Sequence, residues 1–281
     1  MDAPRSVMVA FLLFGVSLAF GNMPGMYGVD TGTPTPVSPN SPESANPYSL
    51  PDKKIEKKSP KVRDEDKDKV NNVVIRDLGV TAYGILPPGF PGYNDKLQGM
   101  KFDAQKAKQL LSESKYADAS KMPPVTLTIS GRGAAAPRTT QAILEMIKQN
   151  LGVDVKVEQV EYATYLDDLK KKNFQIFEIG WIADYVDPED FLDLLLHSES
   201  SNNYGNYANP EFDKLVVQAR TEQDQNKRLQ LYQQAEQLAI SDAAWIPMWF
   251  EKGYLLVKPN VKGYNPPPLV LPYLAGVSIE K

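Results

Sequence analysis

The order of elements between residues 125 and 181 constrains this chain most. VTLTIS (125–130) alternates like a strand, and the stretch 137–151 carries helical spacing, opening on Pro137 and closing before Gly152. VDVKVEQV (153–160) is a second strand, 162–172 a second helix, and FQIFEIGW (174–181) a third strand. A strand that rejoins its sheet through a helix must run parallel to the first, with a right-handed crossover. The spacing therefore predicts an α/β fold: a partly parallel sheet flanked by helices.

Around this centre the pattern is mostly helical. Val70, Val73, Val74 and Leu78 share one helical face that Gly79 is placed to end, and Asp103 sits at an N-cap before Ala104, Ala107, Leu110 and Leu111. GILPPGFPGYN (84–94) is punctuated as a loop. Helices are expected near 188–196, 210–220 and 225–241, with AWIPMWF and GYLLV as closing strands. No internal repeat is evident.

The first sixty residues read differently. Arg5 precedes the uncharged apolar run 6–20, and Ser17, Ala19 and Gly21 supply small residues for cleavage, which is the layout of a secretory signal peptide over 1–21. Fifteen residues at ~1.5 Å each fall short of a ~30 Å hydrocarbon core, so a spanning anchor is disfavoured. Residues 22–62 hold eight prolines among Ser, Thr, Asn and Gly and then a mixed-charge run, and read as a linker. The folded part is expected from residue 63.

Composition narrows the chemistry. The chain has no cysteine and one histidine, His197. Thiolate catalysis, disulfides, zinc fingers, iron–sulfur clusters and a lipoprotein anchor are excluded, and any histidine-based triad must use His197. A net charge of −4 gives no broad footprint for nucleic acid. There is no G-x-S-x-G and no P-loop. The expectation is a binding protein rather than an enzyme, with no cofactor and no metal.

Ligands of parallel sheets gather at the carboxyl ends of the strands, where two loops stand out. Gly131-Arg132-Gly133-Ala134-Ala135-Ala136, with Glu161 after the next strand, has the form of a dinucleotide fingerprint, though a plain flexible turn explains it as well. The second loop opens GWIADYVDPEDFLDLLLH (180–197), in a stretch between Lys172 and Lys214 with nine acids and no Lys or Arg. Asp187, Glu189 and Asp190 are explained as helix cap and first-turn acids, and Glu178 as a strand residue. Asp184 has no such role. Flanked by Trp181 and Tyr185, it is suited to hold a cation or ammonium, although a turn-bound Asp184 beside a core Trp181 is equally open. The spacing does not match a calcium-binding EF-hand.

At these residues the chain resembles the extracytoplasmic solute-binding proteins of the oligopeptide/dipeptide ABC-transporter class (family 5), specifically their C-terminal half. GWIADYVDPEDFL is similar to their segment after a strand, DKDKVNNVVIRDLG (66–79) to the helix after their "VRQAL" segment, and GILPPGFPGYN to their proline-rich loop. FDAQKAKQLLSES, NNYGNYANPEFDKLVVQAR (202–220) and RLQLYQQAEQLAISDAAWIPMWF (228–250) continue the likeness in order. The matches run over roughly residues 63 to 265.

The resemblance implies a class II periplasmic-binding-protein-like lobe over 63–250. Residues 251–281 would return to an opposite lobe, most of which is expected to be missing, as in a truncated or rearranged member. It implies an extracytoplasmic role in transport: binding peptides or similar amine-bearing solutes as a monomer and delivering them to an ABC permease. In this family the aspartate matching Asp184 pairs with a peptide's α-amino group and the tryptophan matching Trp181 lies at the cleft. Gly180, Ala183 and Tyr185 complete the expected ligand-binding set, with Asn202, Asn203 and Tyr204 as a possible rim and His197 beside it, although surface and turn is the simpler role for these. Two alternatives stay open: an exported remnant or scaffold that binds nothing, and a dinucleotide-dependent enzyme using Gly131–Ala136.

Overall fold

The structure, a computed structural model, describes residues 79–97, 99, 102–114, 116–118, 121–131, 133, 135–253, 255–264 and 274–280. The expected signal peptide, the linker and the helix at Val70–Leu78 lie outside them. The central alternation forms as expected. Strands β2 (Val125–Ser130), β3 (Val155–Val160) and β4 (Ile176–Phe177) make a three-stranded parallel sheet in the order β3-β2-β4, with Val125 opposite Val155 and Leu127 opposite Ile176. The crossovers are helices α2 (Arg138–Leu151) and α3 (Tyr162–Lys170).

Local chemistry sets the helix ends. Helix α1 (Ala104–Glu113) starts at Asp103, whose carboxylate accepts from the Lys106 amide at 2.8 Å. Pro137 is the N-cap of α2 rather than its first residue, and Gly152 ends that helix in the left-handed conformation (φ 70°). On the outer side, Ile143, Ile147 and Leu151 of α2 pack with Ala107, Leu111, Val125 and Trp249.

A second core lies beyond β4, built by α4 (Glu189–Leu196), α5 (Pro210–Thr221) and α6 (Gln225–Ser241). Phe212 and Tyr232 are wholly buried there, each contributing about 1.5–3 kcal/mol by leaving water. The proline-rich loop is part of this core: Phe90 meets Phe191 edge-on at 5.3 Å, and Gln233 donates to the Gly92 carbonyl at 3.1 Å. Its buried amides are satisfied by Glu236 of α6, whose Oε1 accepts from Ile85 N at 2.6 Å and Leu86 N at 2.8 Å. Burial pushes the Glu236 carboxyl up to about 6, against the opposing pull of those two amides. Gly84 permits this approach, since a Cβ there would stand 2.6 Å from Glu236 Oε1.

Two sequence expectations are corrected. The third strand is two residues long, not eight, because after Phe177 the chain leaves the β2 ladder. Of the closing strands, only β5 (Trp249–Glu251) forms, antiparallel to β1 (Gly79–Thr81). In the other, Leu255, Leu256 and Val257 are in no ladder and are exposed, Leu256 by 98%. A short hairpin of β6 (Val261–Lys262) and β7 (Ser278–Ile279) follows.

Glu236→Ala leaves two buried amides without an acceptor and is expected to cost about 1–3 kcal/mol for each amide left unsatisfied. Glu236→Gln retains an oxygen at that point and is expected to stay within about 1 kcal/mol of wild type. Urea denaturation of both variants at neutral pH checks this; equal stability of the two would refute the role assigned to Glu236.

Candidate functional site

The carboxyl ends of the three parallel strands deliver the chain into the two loops singled out in the sequence. In the first, Gly131 N donates to the Val160 carbonyl at 2.9 Å, and Gly133 N to Gln159 Oε1 at 3.1 Å. Glu161, the acid of the dinucleotide-like pattern, caps α3 by accepting from Ala163 N at 2.9 Å and Thr164 N at 3.4 Å. Local partners thus engage Gly131, Gly133 and Glu161 of the fingerprint-like pattern.

The second loop runs from Glu178 to the start of α4. Asp190 organises it from the first turn of that helix. The residue is 0% exposed, and its Oδ2 accepts from the Trp181 indole Nε1 at 3.0 Å and from the Asp184 backbone amide at 3.1 Å. Trp181 is half-buried against the α4–α6 core, and Ala183 is buried. Asp184 is exposed, and its carboxylate has no hydrogen bond or ion pair among the described residues. Tyr185 is 43% exposed with its hydroxyl on the Glu189 carboxylate, and Gly180 is half-buried before Trp181. The structure therefore brings Trp181 and Asp184 together through one shared acceptor.

Asp187 differs from its expected role. The N-cap position of α4 is Pro188, and Asp187 binds Arg228 of α6 in a fork, Nη1 to Oδ2 at 2.6 Å and Nη2 to Oδ1 at 2.8 Å, while Oδ1 also accepts from Glu189 N at 3.0 Å. That pair ties the far end of the loop to α6. Asp190 is likewise no simple first-turn acid: burial raises its carboxyl above the ordinary value, partly offset by the Trp181 and Asp184 N–H groups. The sequence offered no sign of which acid would be buried, because each suits a helix N-terminus equally.

The possible rim is also corrected in part. Asn203 is 1% exposed, its amide donating to the carbonyls of Leu196, His197 and Tyr207 and its Oδ1 accepting from Tyr207 N at 3.0 Å. Tyr204 is buried with Tyr165 and Leu169, its hydroxyl donating to Asn202 Oδ1 at 3.2 Å. These groups hold the turn after α4, as the simpler role expects, but Asn203 and Tyr204 are buried there and not on the surface. His197 is buried too, its Nδ1 accepting from Glu199 N at 3.2 Å.

The sequence pattern predicts Glu178 as an alternating strand residue. It lies just past the end of β4, with the Thr140 hydroxyl 3.5 Å from Oε2 and its own carbonyl accepting from the Tyr165 hydroxyl. Burial pushes its carboxyl up to about 7. Among the described residues no group of three or more His, Cys, Asp or Glu is arranged to hold a metal, and no helix is long and apolar enough to cross a membrane.

A chain with this fold has counterparts among known proteins. Residues 66–203 match the family model described as bacterial extracellular solute-binding proteins, family 5 Middle. The chain is 33% identical over 204 residues to the oligopeptide-binding protein OppA of Bacillus subtilis and 35% over 206 residues to the periplasmic oligopeptide-binding protein OppA of Salmonella typhimurium. Those alignments cover 70% and 71% of this chain but 37% of each relative. Among solved structures it is similar to the Escherichia coli murein tripeptide binding protein MppA (TM-score 0.65, 29% identity, 78% of this chain and 43% of that one). It is also similar to Helicobacter pylori DppA in complex with the peptide STSA (TM-score 0.66, 25% identity, 76% and 42%). Residues 66–203 thus belong to the family 5 solute-binding proteins, and the chain spans less than half the length of these relatives.

The Glu178 environment predicts a pH effect on stability. A carboxyl raised from 4.5 to about 7 favours the fold while protonated in both states, and that contribution is lost as pH rises through about 7. Between pH 5 and 8 wild type is expected to lose on the order of 2–3 kcal/mol that Glu178→Gln does not lose. Urea midpoints of both proteins across this range measure the difference; parallel pH profiles would contradict it.

Proposed function

We propose that this chain is the solute-binding lobe of an ABC importer, taking peptides or similar amine-bearing solutes outside the cytoplasm and handing them to a membrane permease. The observation that carries this reading is Asp184: an exposed carboxylate without a partner among the described residues, at the carboxyl end of a parallel sheet, tethered beside Trp181. A peptide ammonium supplies the missing charge, with Tyr185 and Trp181 as aromatic neighbours and Gly180 and Ala183 as the backbone of the seat. The names of the relatives, which bind oligopeptides, a murein tripeptide and the peptide STSA, support the ligand class. In this reading 63–250 is the lobe, and 251–281, with its exposed Leu255 to Val257, packs against a further surface that covers the ligand.

The exposure of Asp184 sets the expected strength. An ion pair open to water contributes about 0–1 kcal/mol, so this lobe alone distinguishes a free amine only weakly. Calorimetric titration with tri-alanine and its N-acetylated form is expected to show a preference for the free amine of up to about fivefold, which Asp184→Ala abolishes. Equal affinity of wild type for both peptides would remove Asp184 from the site, and no heat with either would favour a scaffold that binds nothing.

A further inference from the structure

Asp190 is not accounted for by the reading above. It does not face solvent, so it is not placed to touch a ligand, yet its Oδ2 accepts from both the Trp181 indole and the Asp184 amide. Its other oxygen, Oδ1, is buried and has no hydrogen-bond partner among the described residues. Keeping a carboxylate in such a place is costly, and a helix N-terminus by itself does not require it, since Glu189 beside it fills the first-turn role while remaining accessible.

We propose that Asp190 is the positioning residue of the binding loop: one buried carboxylate oxygen, receiving the Trp181 indole N–H and the Asp184 amide N–H together, fixes the ring and the backbone from which the Asp184 carboxylate projects before the solute arrives. The inference rests on the solute-binding reading and adds the residue on which the readiness of the site depends. Two donors converging on one ionised oxygen make charge-assisted bonds, stronger than bonds to a neutral acceptor, so the segment from Trp181 to Asp184 is held at both ends. A ligand meeting a preset seat loses less binding energy to ordering it. The groups facing Asp190 are Asp184 and Asp187 from the loop, both of which disfavour its ionisation, together with the Trp181 indole and the Asp184 amide, which favour it. Asp187 is itself neutralised by the fork with Arg228 of α6.

The experiment pairs binding with a signal from the indole. Calorimetric titration of tri-alanine and N-acetyl tri-alanine is carried out on wild type, Asp184→Ala, Asp190→Asn and Asp190→Ala. The Trp181 indole N–H resonance, assigned with Trp181→Phe, is followed from pH 7 to pH 4. Asp190→Ala is expected to weaken tri-alanine about fivefold or more and to erase the free-amine preference. Asp190→Asn, which retains an oxygen acceptor, is expected to keep binding within about threefold of wild type. The indole resonance is expected to move with pH in wild type and to move less in Asp190→Asn, where its own acceptor no longer titrates. Should Asp190→Ala fail to fold, Asp190→Asn decides through the resonance: a shift identical to wild type overturns the proposal. Undiminished tri-alanine binding by a folded Asp190→Ala overturns it as well. A wild type that binds neither peptide instead overturns the solute-binding reading, and with it the part of this inference that concerns ligand.

Discussion

Buried amides in irregular chain need acceptors, and the way this lobe supplies them underlies the rest of its architecture. Helices and strands satisfy their own backbone, but the segments that leave the parallel sheet and cross the helical core cannot. Here side chains from neighbouring elements do it. Glu236 of α6 accepts from Ile85 and Leu86, and Asp190 of α4 from Asp184 and the Trp181 indole. Each fixes a loop to a rigid element, which is how a chain with a sheet of three strands holds an ordered surface at the strand ends.

The same device creates an electrostatic asymmetry. Glu236, Glu178 and Asp190 are carboxyl groups drawn out of water, and burial raises all three above their ordinary values. Where an arginine is at hand, the charge is paired instead, as in Arg228 with Asp187 and Arg220 with the buried Asp193, whose Oδ1 lies 2.6 Å from Nη2. Asp184 is in neither group: exposed and without a partner among the described residues, it offers its charge outward. That contrast, with neighbouring acids committed inward and one left facing solvent, is what makes the loop suited to a cationic solute.

Much of the fold was legible from residue pattern. The alternation from 125 onward gave the parallel sheet, Asp103 and Gly152 marked helix ends, and the stretch 225–241 was read with the bounds it has. What failed did so for a common reason. FQIFEIGW and GYLLV have strand composition, but a strand needs a partner ladder: β4 stays on β2 for two residues, and Leu255 to Val257 are in no ladder. Propensity cannot report a neighbour's absence.

Within the candidate site the division is sharper. Sequence by itself determined that a carboxylate between two aromatic side chains would follow the third strand of a parallel sheet, because strand order, cap chemistry and the surplus of acids are local properties. Tertiary structure decided which acid does what. Asp184, Asp187, Glu189 and Asp190 all fit a helix entrance, and only the packing of Trp181 against α4 and the reach of Arg228 from α6 separate them. Burial and pairing depend on elements about forty residues further along the chain, so the distinction between an anchor and a ligand-facing charge exists only once the helices have closed on the loop.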